Sequence, residues 1–303
     1  MREAPMNSLS VPGPGEHIVD IHGVPQRYHV AGSGPVCIAH SGGPGVGWEY
    51  LRMPHLEEFL TMVYVEPVGT GKSGRLPQHP HGYTIDRYIA HIDGIVDDIG
   101  RRSVILLGHS YGGLIAQKYA LARSEKLSSV ILYATVTTDG DDFYAEVERN
   151  FQEFLRRHSD APDLDDVKQA YMQGYRGDAT AHDDESLTAI FRQVLPIYFA
   201  DYWRREHEFG SLRQGARRAY VVDDGRPNDH RGQLSAIVTP TLVTTGRFDV
   251  VCPPRWSEEI HEEINGSALV ILEESGHMAH LEQPQKFAQT VKDFLDHRPR
   301  TAG

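Results

Sequence analysis

The sequence predicts an α/β fold: a mostly parallel central sheet flanked by helices, with a helical cap inserted between two of its strands. Two observations carry this. Short apolar runs of strand length alternate with helix-period segments up to about residue 135 and again from about 233, and such alternation builds βαβ units and a parallel sheet. Between them, residues 136–232 lose the alternation and become charged, aromatic and helical in pattern. The domain reading is a core of residues 1–135 and 233–303 and a cap, or lid, of residues 136–232.

The first fifteen residues read as a tail without the apolar stretch of a signal peptide. Residues 16–31 alternate apolar and polar side chains around Gly-Val-Pro, the pattern of a β-hairpin. Residues 35–40 and 61–65 are short apolar runs of strand type. Over 84–99, Ile85, Tyr88, Ile89, Ile92, Ile95, Val96 and Ile99 recur at helical spacing. The strand VILLG, the helix LIAQKYALA and the strand SSVILYA follow. Within the cap only AYVV, at 219–222, has strand character. The core pattern resumes with TPTLVTTG, a helix near 254–263, SALVILEE and a last helix near 284–297.

With 303 residues, 40% of them hydrophobic, the chain can bury one large core. Its 42 acidic and 30 basic residues give a net charge of -12, which disfavours nucleic acid or an anionic membrane as partner. No run is long enough to span a bilayer. Cys37 and Cys252 make neither a disulfide framework nor a metal motif. None of the 17 histidines falls in an HExxH or Cys/His zinc pattern. GTGKS fails as a nucleotide loop, because Glu66 stands where a phosphate loop needs its first glycine. The expectation is a cytoplasmic protein that uses no metal or other cofactor and acts on a small molecule or short peptide. Nothing in the sequence fixes an oligomeric state.

The chemistry concentrates in three places, each behind a strand. GHSYGG, Gly108–Gly113, fits Gly-x-Ser-x-Gly between a strand and a helix. A serine nucleophile needs such a sharp turn with small neighbours, and the helix start behind it favours a developing oxyanion. GRFDVV offers Asp249 after the strand TLVTT, and ESGHMAH offers His277 after ALVIL. Ser110, Asp249, His277 is the chain order of the α/β-hydrolase triad, distinct from those of chymotrypsin and subtilisin. HSGGPG, His40–Gly45, follows another strand and would supply a backbone N–H to the oxyanion from Gly43 or Gly42, beside that of Tyr111. The chain thus reads as a serine hydrolase of α/β-hydrolase fold.

GGPG and GHSYGG also make the sequence resemble the proline iminopeptidase group of α/β-hydrolases, over about residues 16–135 and 235–297. That group carries HGGPG in its oxyanion loop. Here Ser41 stands where the group has histidine, and His40 one place earlier; Glu66 and Pro67 replace the Asp-Gln that opens the group's DQxGxGxS segment. The resemblance implies cleavage of the amide bond after an N-terminal, proline-like residue, with lid carboxylates binding the substrate amine.

In the lid, Tyr198, Phe199, Tyr202 and Trp203 either line a pocket above Ser110 or form the lid's own core. Glu206 and Glu208 are the candidates for the amine, or else a solvated helix face. The same triad serves an ester, lactone or thioester hydrolase of specialised metabolism or a C–C bond hydrolase. A small-molecule receptor that kept the fold is the alternative from another class.

Overall fold

The expected hairpin forms as β1 (Gly15–Ile21) and β2 (Val24–Gly32), paired antiparallel with Ile21 opposite Val24. The computed structural model describes residues 12–174 and 182–297; most of the expected N-terminal tail, residues 1–11, lies outside them. The apolar runs that follow become β3 (Val36–His40), β4 (Thr61–Glu66), β5 (Val104–His109) and β6 (Leu127–Tyr133). After the inserted segment come β7 (Thr241–Gly246) and β8 (Ala268–Leu272). Together they make one eight-stranded sheet in the order β1-β2-β4-β3-β5-β6-β7-β8. β2 is antiparallel to both its neighbours, and all pairs from β4 to β8 are parallel.

Side chains alternate across a strand, and the buried residues sort accordingly. Ile38, Val63, Leu106 and Val130 belong to one apolar cluster, and Cys37, Met62, Ile105 and Ile131 to another. Helices cover both faces, as a parallel sheet requires. On the second face lie α1 (Pro54–Glu57) and, from the C-terminus, a short α9 (Ala279–Glu282) and α10 (Pro284–His297), which contributes Phe287 and Val291. On the first lie α2 (Ile85–Ile99), α3 (Tyr111–Ala122) and α8 (Pro254–Glu263). All seven apolar residues picked out on α2 are buried. Thr84 caps its N-terminus by accepting from the Arg87 N–H, and Gly100 ends it in the left-handed region at φ 67°.

Between β6 and β7 the described chain forms α4 (Asp141–Arg157), α5 (Leu164–Gly174), α6 (Asp184–Val194) and α7 (Glu206–Gly215), with no named strand. AYVV is not a strand; the neighbouring Arg218 makes only an isolated bridge to Val46. Phe143, Val147, Phe151 and Phe154 recur every three or four residues along α4 and bury one face. The Phe151 ring stacks on Tyr171 of α5 at 3.7 Å. No described helix is long and apolar enough to cross a membrane.

Register positions the site. His40 pairs with Gly108, His109 with Tyr133, Tyr133 with Thr244, and Gly246 with Leu272. The loops leaving β3, β5, β7 and β8 therefore emerge along one rim of the sheet, and the motifs that contain Gly43, Ser110, Asp249 and His277 sit on them.

Candidate active site

Ser110 stands between the last residue of β5 and the first of α3, with φ 57° and ψ -122°. A non-glycine residue there is strained by roughly 1–3 kcal/mol and persists only when its surroundings hold it. Here the Ser110 N–H donates to the Tyr133 carbonyl at 2.9 Å. Its own carbonyl accepts from Thr135 Oγ1 at 2.7 Å and from the Gly113 N–H at 2.8 Å. The turn also needs a bare Gly112: a Cβ there would lie 2.5 Å from the His40 carbonyl oxygen.

Asp249 and His277, on the loops after β7 and β8, are both buried. His277 Nδ1 lies 2.8 Å from Asp249 Oδ2. The other carboxylate oxygen accepts from the Val251 and Cys252 N–H groups at 2.8 and 2.7 Å, so the acid is fixed by backbone donors while it faces the imidazole. The rival acids are engaged elsewhere. Asp223 accepts from Tyr111 Oη and from the Asn228 amide, and Asp224 pairs with His81. Ser110 and His277 line one cavity of about 750 Å³, together with Gly42, Gly43 and Tyr111.

Two backbone N–H groups lie open at that wall. Gly42 packs against Ser110, but its N–H already donates to Tyr50 Oη at 2.7 Å. The Gly43 N–H has no acceptor among the described residues. Tyr111 is the first residue of α3, where an N–H has no intrahelical partner. Ser41, in the place of the histidine of the resembling group, closes the loop by donating Oγ–H to the Val46 carbonyl at 3.0 Å. Buried Glu66 accepts from the N–H groups of Lys72 and Ser73 and from His29, and so organises the turn that follows it.

Residues 34–284 match the model of the alpha/beta hydrolase fold family. The chain belongs to the α/β-hydrolase family. The proline iminopeptidase of Saccharolobus solfataricus is 28% identical over 289 residues, covering 89% of this chain and 87% of that protein. The 2-hydroxy-6-oxo-2,4-heptadienoate hydrolase of Pseudomonas putida is 27% identical, covering 90% and 93%. An alpha/beta fold family hydrolase from Bacillus anthracis superimposes with a TM-score of 0.70 at 20% identity, covering 92% of this chain and 98% of that one.

The five candidate substrate-binding residues of the segment inserted into this α/β-hydrolase lie in different surroundings. Tyr198 lines the cavity, with its ring 5.3 Å from that of His277. Tyr202 does not; it is fully buried in the lid's core beside Phe199 and Phe209. Trp203 packs on Phe154 and His158 and donates Nε1–H to Asp163. Glu206 and Glu208 are exposed on the first turn of α7, and Glu208 pairs with Arg205 at 2.7 Å. The turn of α7 is set by its one buried residue, Phe209, which stacks on Phe199 at 4.3 Å and so faces the glutamates outward.

Sequence reasoning passed over Tyr50, His109, Cys252, Arg218 and Arg226, which also line the cavity. His109 was legible inside the elbow motif itself. Its Nε2 faces the His277 carbonyl at 3.0 Å, which can only accept, so Nε2 carries the proton and Nδ1 accepts from Tyr50 Oη at 2.7 Å. One buried chain thus runs from the Gly42 N–H through Tyr50 and His109 to the backbone of His277. Burial, reinforced by His277 and His280, holds the His109 pKa well below the usual histidine value. Cys252, Asp249 and His277 offer ligand atoms within 4.8 Å of one another. Burial pushes the Cys252 thiol well above its usual pKa, so it stays protonated.

Proposed function

We propose that this protein hydrolyses an ester or amide bond of a small substrate through an acyl-enzyme on Ser110. His277 takes the Ser110 proton as Oγ attacks the carbonyl, and Asp249 holds the imidazole with Nδ1 protonated. The N–H groups of Gly43 and Tyr111 stabilise the oxyanion. His277 then protonates the leaving group and activates the water that releases the acyl group. The observation that carries the reading is the buried Asp249–His277 hydrogen bond at the wall of the cavity that also contains strained Ser110. The names of the relatives agree with hydrolysis but differ in substrate, one being a proline iminopeptidase and the other a 2-hydroxy-6-oxo-2,4-heptadienoate hydrolase.

Within this reading, an ester or lactone is favoured over the amide after an N-terminal proline. An aminopeptidase must hold the substrate's ammonium, and the two glutamates assigned to that task face solvent. The test is a side-by-side assay of aminoacyl-arylamides, arylesters and lactones. Arylester or lactone turnover well above that of prolyl-arylamide is the expected result. The reverse order would return the protein to the iminopeptidase reading, and binding without turnover of any class would make it a receptor.

A further inference from the structure

The cavity above Ser110 holds two arginines that the hydrolytic chemistry does not use, Arg218 and Arg226. Its carboxylates are already engaged or at the edge. Asp139 accepts from Arg226 Nε at 2.8 Å and from Asn228, Glu148 accepts from Tyr171 and Gln152, and Asp141 is exposed on the first turn of α4. Arg218 differs from all of these. Its side chain makes no hydrogen bond or ion pair among the described residues, and its Nε is buried without a partner. A buried donor on a charged group is costly to leave unmade.

The backbone holds Arg218 firmly all the same. Its N–H donates to Thr188 Oγ1 at 3.0 Å, and its carbonyl accepts from the same hydroxyl at 3.1 Å, which fastens it to α6. On the other side it bridges to Val46, and the next residue, Ala219, donates its N–H to the Gly45 carbonyl at 2.7 Å. The Arg218 backbone is therefore anchored between α6 and the loop that carries Gly43, with the side chain at the cavity wall.

We infer that Arg218, aided by Arg226, binds a carboxylate carried by the substrate in addition to the bond that is cleaved. A planar guanidinium with an open edge matches a carboxylate by two parallel hydrogen bonds. The cavity of about 750 Å³ suits a small organic acid, being within the roughly 300–1,000 Å³ of small-molecule sites. A local cation is also what an anionic substrate needs to enter a protein of net charge -12. The same guanidinium repels an ammonium. The inference rests on the hydrolase reading above and narrows its substrate class.

The test compares 4-nitrophenyl butyrate with mono-4-nitrophenyl glutarate, esters that differ by a terminal carboxylate. Wild type should prefer the half-ester in kcat/KM. Arg218→Gln should lower that preference ratio roughly 10- to 150-fold, the worth of one charge-assisted contact. Arg218→Lys, which keeps the charge without the fork, should fall between, and it serves if the glutamine variant does not fold. An unchanged ratio overturns the inference, as does equal loss on both esters. Calorimetric binding of glutarate to Ser110→Ala separates this subsite from the catalytic reading. Binding that weakens on adding Arg218→Gln supports the subsite even if Ser110 proves not to be the nucleophile. Binding indifferent to Arg218 sinks the subsite and leaves the catalytic reading standing.

Discussion

Replacing Tyr50 by Phe removes one oxygen and strands two buried groups. Tyr50 Oη is the acceptor for the Gly42 N–H and the donor to His109 Nδ1, at 2.7 Å each. Each group left without a partner costs about 1–3 kcal/mol, so the variant should be less stable by about 2–6 kcal/mol. That is a large share of the roughly 5–15 kcal/mol that separates native from unfolded states. The change also frees the loop that carries the Gly43 N–H and loosens His109 against the His277 carbonyl. Turnover should fall, but by less than the roughly 10²–10³ lost when an oxyanion donor is itself removed. Urea unfolding followed by circular dichroism gives the stability, provided the slope with denaturant matches wild type; arylester hydrolysis gives the turnover. A stability change below about 0.5 kcal/mol, the size of an ordinary surface substitution, together with unchanged turnover would refute the chain from Gly42 to His277.

Other expectations follow from the same geometry. Burial lowers the pKa of His40, His91, His230 and His280 to about 4. The unfolded chain takes up these protons near pH 6.5 and the folded one only near 4, so stability is full above 6.5 and falls as pH drops, by about 1.4 kcal/mol per unit for each histidine. Glu282, raised by burial to about 7, opposes this with one group's worth, since its contribution is lost as pH rises. Urea midpoints should therefore drop between pH 6.5 and 4.5, and a flat profile there contradicts the neutral buried histidines. Gly112→Ala sets a methyl 2.5 Å from the His40 carbonyl oxygen and should destabilise by at least about 1–3 kcal/mol in thermal or urea unfolding. Asp249→Asn should keep its circular dichroism and lose about 10⁴ in turnover through the wrong imidazole tautomer; near-normal turnover would remove Asp249 from the mechanism. Glu206→Gln and Glu208→Gln should leave stability within about 0.5 kcal/mol and KM for aminoacyl-arylamides unchanged, because both face solvent.

The core elements were legible because each carries a period. The α2 stripe from Ile85 to Ile99 is buried as its spacing requires, and the alternating pattern of residues 16–31 is the β1–β2 hairpin. The nearness of Asp249 to His277 was legible for a related reason: parallel neighbouring strands deliver their C-terminal ends to one rim, so order behind strands becomes proximity. The lid was not legible in this way. Its helices pack on one another and also wall the cavity, so an aromatic residue there has two apolar places to go. Tyr198 took the cavity, while Tyr202 took the lid core beside Phe209. Arg218 lies in irregular chain after α7, where no period marks a face, and only its bonds to Thr188 and Gly45's neighbour Val46 bring it over the site. Tyr50 sits in a single 3-10 turn, Glu49–Leu51, and Cys252 on a loop, and their places depend on register across the sheet rather than on any local pattern.

In the proposed mechanism Ser110 forms the covalent intermediate. Incubation with a fluorophosphonate, intact-mass measurement and peptide mapping test it most directly. One added label per chain is expected, on the peptide that contains Ser110, with loss of hydrolysis in step with labelling. Ser110→Ala should take no label, keep its circular dichroism, and lose about 10⁴- to 10⁶-fold in turnover. A label on another residue, or an alanine variant that hydrolyses as well as wild type, would contradict it.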